Sequence, residues 1–293
     1  MKLQKEMILV KVNRDIAILC DILNISEEEL GKELGVTFET INNWKNSKTD
    51  IGDSYIELLY SYAYSHGIKY NSIYEQLLIE EYYDKDSIVL FHGARKQFSL
   101  PIDITNNSKN HNDFGTGFYL GTSFEQAANS ISFLDANKVY SFKFNSRGLK
   151  VVKFEVNTDW MLAIAYYRGW LEEYKNNPII HDIVQKVDNC DVVIAPIADN
   201  RMFDIINEFV ENQITDEQCR HALAATNLGS KYVLKTENAV NNIELLTEMF
   251  VCKKEKEQCA KDRLSLTNTG IQKVKISRIE YKNRGKYIGE YFK

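Results

Sequence analysis

The chain has 293 residues, 44% of them hydrophobic, with 3 prolines, 14 glycines and a net charge of −5. That composition excludes a disordered or linker-rich chain and supplies a packed core for one large domain or two ordinary ones. No run of eighteen apolar residues suggests a membrane span, and the apolar run Met7–Val10 is too short for a signal peptide. The five cysteines, at 20, 190, 219, 252 and 259, form no CxxC pair and are odd in number. They read as buried or free thiols in a reducing compartment, so a cytoplasmic location is expected.

In chain order, residues 1–85 show helical patterns and no convincing strand. Asn13 to Leu23 reads as an amphipathic helix. Ser26 and Glu29 form a capping box that opens a second helix to about Leu34. Gly35 suits a tight turn at positive φ, and Thr37 caps a third helix through about Lys45. Leu30, Leu34, Val36, Ile41 and Trp44 fall where a helix-turn-helix unit buries its seam. Glu28 to Asn46 therefore resembles the helix-turn-helix of phage-repressor-like regulators, with Thr37, Phe38, Glu39, Thr40, Asn42 and Asn43 facing outward. Asparagine there can bond adenine. Yet residues 1–85 hold nine lysines and arginines against fifteen carboxylates, a net of −6 that leaves +1 for the remainder. DNA affinity comes mostly from phosphate neutralisation, so protein docking or self-association is the favoured role. Two more helices are expected from Asp53 to Tyr83, broken near His66-Gly67. Their many tyrosines are read as packing against the neighbouring domain with hydroxyls at the rim.

From residue 86 the pattern changes. Ser87–Phe91, Gly117–Leu120, Lys138–Phe144, Val151–Val156, Asp191–Ile197 and Lys231–Lys235 read as strands. Helices are expected from Ser123 to Leu134, Asp159 to Tyr174, Met202 to Glu211, Thr215 to Asn227 and Glu237 to Phe250. Lys253–Glu257 continues a helix, Gln272–Tyr281 reads as a last strand, and the basic, aromatic Lys282–Lys293 as a lysine-guarded edge. The expected fold class is α+β, with a helical domain over 1–85 and a second domain over 86–293. No GxGxxG follows a strand, no GxSxG or Walker sequence occurs, and the five histidines have no metal-ligand spacing.

Two segments carry the functional signal: Phe91-His92-Gly93-Ala94 and Asp113-Phe114-Gly115-Thr116-Gly117-Phe118-Tyr119-Leu120-Gly121-Thr122. Gly93 lets a ligand approach the backbone, and His92 can donate one hydrogen bond while its other nitrogen is held. Tyr119 offers a flat face for a heteroaromatic ring. These segments resemble the first two motifs of the ADP-ribosyltransferase fold in its His-Tyr-Glu branch, which includes diphtheria toxin and the poly-ADP-ribose polymerases. The closer likeness is to a family of bacterial domains of that fold. It extends through Asp191–Phe203 and Leu228–Glu237, roughly Ser87 to Leu246.

The resemblance implies a split β-sheet, NAD as substrate, no metal, and transfer of ADP-ribose to a macromolecule, protein or nucleic acid. It implies a setting such as a toxin–antitoxin pair or phage defence, with an antitoxin or a second copy engaging residues 1–85. Gly93 backbone groups would hold the nicotinamide carboxamide, His92 a ribose hydroxyl, and Tyr119 the nicotinamide ring with Phe118 behind it. Asp113 and the loop from Thr105 would border the dinucleotide, and Arg201 would pair with pyrophosphate or acceptor. The third motif departs from the pattern. Where the branch has glutamate, and the closer family glutamine or a similar acceptor, this chain has Lys231. An ammonium only donates, and its charge opposes a developing oxocarbenium. The alternative is therefore an impaired NAD- or ADP-ribose-binding regulator.

Overall fold

The computed structural model describes residues 2–94, 101–104, 112–198, 200–224 and 229–293. A helical region comes first: α1 (Lys2–Leu23), α2 (Glu27–Leu34), α3 (Phe38–Lys45), α4 (Asp53–Ser65) and α5 (Tyr70–Glu81). The Ser26–Glu29 capping box forms as expected, Gly35 ends α2 at φ 70°, and Thr37 accepts from the Thr40 N–H to open α3. Leu30, Leu34, Ile41 and Trp44 are buried together, while Phe38 and Glu39 are exposed.

Tyr60 packs edge-on against Phe250 of the following domain as expected, but the hydroxyls of Tyr60, Tyr70 and Tyr74 turn inward rather than to the rim, onto Asp15, which is fully buried in α1. Tyr60 donates to its carboxylate at 2.6 Å, Tyr74 donates to the other oxygen, and Tyr70 donates to its backbone carbonyl at 2.6 Å. A buried carboxylate is tolerable only with such donors. Asp15→Ala leaves two buried hydroxyls without an acceptor and should cost about 2–4 kcal/mol in denaturant unfolding.

A seven-stranded mixed sheet follows, built from β1 (Ser87–Ala94), β2 (Phe118–Gly121), β3 (Lys138–Asn145), β4 (Val151–Lys153), β5 (Val192–Pro196), β6 (Ser230–Leu234) and β7 (Ile243–Phe250). Its order is β4-β5-β6-β2-β1-β3-β7, antiparallel except for β4–β5. Between the strands run α6 (Phe124–Ile131), α7 (Thr158–Tyr167), α8 (Pro178–Asp188), α9 (Asn200–Val210), α10 (Asp216–Ala224) and the short α11 (Glu237–Val240), and the long α12 (Lys253–Glu280) follows β7.

Strand alternation sorts the core. Leu90, Phe118, Leu120, Tyr140, Phe142 and Leu234 pack on one face of the sheet. On the opposite face, Val89, Phe91, Val139 and Met249 join α6 and the helical region in one continuous core. Val193, Ala195 and Val233 pack there with α7, α8, α9 and α10.

Two expected elements are corrected. Glu237–Phe250 is not one helix: four residues of helix give way to β7, which pairs with β3 over seven positions. Its Leu and Met positions suit either period, and the open edge of β3 decides for strand. Gln272–Tyr281 is not a strand but lies almost wholly in α12, and Lys282–Lys293 forms no edge strand. Lysine, arginine and glutamine extend a helix readily once it is anchored.

That anchoring contains a titratable contact. Glu255 of α12 is buried, and Asn71 of α5 donates to both Glu255 (2.7 Å) and the Phe250 carbonyl (2.7 Å). Burial pushes the Glu255 carboxyl up to about 7, with Asn71 and Lys69 opposing the shift. The folded state therefore holds this proton more tightly than the unfolded chain, whose carboxyl titrates near 4.5. Stability should fall as pH rises from about 4.5 to about 7 and level off above. Glu255→Gln should flatten that part of a Tm-against-pH profile and raise Tm at pH 8.

Candidate functional site

β1 is the hinge of the site. It pairs with β3 along all eight of its residues but with β2 only at Phe91↔Gly121. Beyond Phe91 the two strands form no further residue pair, and this seam lies between the β4-β5-β6-β2 half and the β1-β3-β7 half of the sheet. His92 sits where the pairing ends. Its Nδ1 lies 2.8 Å from the Tyr119 carbonyl. A carbonyl only accepts, so Nδ1 carries the proton and, in the neutral ring, Nε2 is an acceptor. Burial holds the imidazole below its usual range, partly offset by this bond. The ring lies 4.7 Å from that of Phe118, which meets Phe142 edge-on.

The Phe91↔Gly121 register fixes which side chains share a face. His92 stands with Leu90, Phe118 and Leu120; Tyr119 stands on the opposite face, with Phe91, Gly121 and Val233. The expected crevice between the imidazole and the phenol is therefore not formed by their side chains. What joins them is the bond from His92 to the Tyr119 backbone.

Gly93 is glycine for a packing reason. A Cβ there would collide with the Ala127 carbonyl and lie 2.7 Å from Ser130 Oγ and 2.9 Å from Ile131, all on α6. Its Cα side is closed by that helix, leaving only its backbone for the seam.

Tyr119, Asp113 and Lys231 do come together, around the loop that enters β2. The Tyr119 hydroxyl donates to the Gly115 carbonyl at 2.7 Å and accepts from the Phe114 N–H at 3.1 Å. Asp113 is buried; one carboxylate oxygen takes Arg168 (Nη2 2.9 Å, Nε 3.2 Å) and the other takes Lys231. Arg168 also lies flat against Phe203, 3.2 Å from the ring centroid. Lys235 donates to the Phe114 carbonyl at 2.7 Å, and burial lowers its pKa despite Asp188 at 3.7 Å. Residues 113–115 are thus bolted down by three cations and a phenol. Two cations against one buried carboxylate leave the cluster net positive.

The remaining candidates divide. Phe118 is buried beside His92 and not behind Tyr119, because successive side chains of β2 point to opposite faces. Arg201 donates to the Gly270 carbonyl in α12, and its guanidinium lies in the space that a Cβ at Gly270 would take. Residues 105–111 of the loop expected to border the dinucleotide lie outside the described residues. Glu237 starts α11 and, with Asp103, Thr116 and Lys235, lines a groove of about 590 Å³ that His92, Tyr119 and Lys231 do not line. No group of three or more potential metal ligands occurs among the described residues. No helix among them is long and apolar enough to cross a membrane.

Sequence reading missed Arg168 and Lys235. The signal was present for the second: residues 231, 233 and 235 share a strand face, so two lysines had to find acceptors there. Lys231→Met should leave Asp113 with Arg168 alone and cost about 2–4 kcal/mol in urea unfolding, more than Lys231→Met combined with Asp113→Leu.

The family described as Protein of unknown function (DUF3990) matches residues 88–245, more than half of the chain. Comparison with curated proteins and with solved structures returns no match.

Proposed function

The chain belongs to the DUF3990 family, and on that premise we propose that its sheet region is an ADP-ribosyltransferase-like module that binds NAD or ADP-ribose at the β1–β2 seam and acts as a regulator, with transfer impaired. The observation that carries this reading is the single-pair ladder between β1 and β2, with a neutral histidine where the pairing ends. Strands that stop pairing leave main-chain groups for a ligand, and a carboxamide needs one donor and one acceptor. The bond from His92 Nδ1 to the Tyr119 carbonyl fixes the imidazole at the point where a ligand would meet the strand ends. The net positive cluster around Asp113 favours a ligand that carries phosphate. Impaired transfer follows from Lys231: its ammonium is engaged with Asp113 and offers no acceptor.

The second reading is NAD-dependent ADP-ribosylation of a macromolecule, as a toxin of a toxin–antitoxin or phage-defence system. It is favoured by the order of the three motif segments, which fall within the family-matched span. Titration of the full chain with NAD and with ADP-ribose by calorimetry, alongside an assay of nicotinamide release, separates the two. The regulator reading expects saturable binding that His92→Ala weakens, with little nicotinamide release. Release at enzymatic rates from the unmodified chain would replace it with the transferase reading, and absence of binding to either compound would remove both. If the missing acceptor is what limits transfer, Lys231→Glu should increase nicotinamide release, provided that calorimetry shows the variant still binds NAD.

A further inference from the structure

α5 is amphipathic in an unusual sense. Its inward face is largely polar and its outward face partly apolar. Asn71, Tyr74 and Glu75 point inward, to Glu255, Asp15 and the start of α6. Ile73 and Leu77, one turn apart and therefore neighbours on the surface, are 41% and 42% exposed. The stripe runs into Glu80 and Glu81, both exposed in the last turn, where no basic residue is present. Among the described residues neither carboxylate meets a cation; Glu80 accepts only from Gln76. A helix C-terminus carries partial negative charge, so two carboxylates there are unfavourable and a cation would relieve them. Asp84 follows closely, and Tyr83 beside it is 86% exposed.

We propose that this face of α5 docks a basic amphipathic helix of a partner protein, with apolar residues over Ile73 and Leu77 and lysine or arginine over Glu80 and Glu81. The charge pattern selects the occupant: the apolar pair alone would accept many surfaces, but two exposed carboxylates at the wrong helix end, bonded only to the neutral Gln76 and Tyr82, call for a cationic one. Docking reaches the sheet by a short physical route. Glu75 accepts the Phe124 N–H at 2.8 Å and so caps α6, and α6 is the helix whose Ala127, Ser130 and Ile131 close over Gly93. A partner that holds α5 thereby steadies α6 on β1. Only the claim that this steadying bears on a ligand rests on the seam reading; docking itself does not.

The probe is a fluorescein-labelled amphipathic peptide of leucine and lysine, about 18 residues or five turns long, with a leucine–glutamate peptide as control. Anisotropy with the full chain should show binding of the basic peptide and not of the acidic one. Ile73→Ser with Leu77→Ser, and separately Glu80→Lys with Glu81→Lys, should each weaken it about tenfold or more, and added salt should weaken it further. Equal binding of both peptides, or no change in either double variant, overturns the proposal. A dimer seen in sedimentation and abolished by Ile73→Ser with Leu77→Ser would assign the face to a second copy, which also overturns it. The route is read separately, without NAD. The bound peptide should slow amide exchange over residues 89–94 and 124–131 in the native chain and not in Glu75→Ala, and unaltered exchange in the native chain would remove that part alone.

Discussion

One backbone pair, Phe91 with Gly121, joins the two halves of the sheet through β1 and β2. Everything proposed about function follows from how short that ladder is and from the face parity it imposes. Side chains alternate along a strand, so fixing one pair fixes all of them. His92 is sent to the face lined by Phe118 and Phe142, and Tyr119 to the face lined by Val233 and Lys231. The bond from His92 Nδ1 to the Tyr119 carbonyl then replaces ladder pairing where it ends.

Around that seam, charged groups serve architecture before chemistry. Asp113, Arg168, Lys231 and Lys235 hold the loop that enters β2. Arg201 braces α9 against α12 at Gly270. A side chain already committed to a structural bond is a poor candidate for turnover, since breaking a buried ion pair leaves an uncompensated charge.

The helical region is not an appendage. Its core runs without a break into Phe91, Val139 and Met249 of the sheet, and Asn71 and Glu75 bond directly to α12 and α6. The helices and the strand that carries His92 therefore share one packed core.

Local signals in the sequence determined a good deal. The capping box at Ser26, the helix start at Ser123, the left-handed Gly35 and the buried seam of Leu30, Leu34, Ile41 and Trp44 depend on neighbours a few residues away, and all form. The strands from Ser87 to Phe91 and from Lys231 onward were equally legible, because their β-branched and aromatic runs admit no other packing. What tertiary structure alone decided involves partners far apart in the chain. β7 is a strand because β3 offers an open edge, and Gln272–Glu280 is helical because α12 is anchored on α4 and α6 in its first half and on α9 and α10 in its second, where Gln218 donates to the Arg278 carbonyl and Arg278 pairs with Glu208. The tyrosines point to Asp15 because a buried carboxylate needs donors. The pairing of Asp113 with Lys231, 118 residues apart, and the separation of His92 from Tyr119 onto opposite faces came from sheet register. Register is set by long-range ladder pairing, which no local pattern of residues encodes.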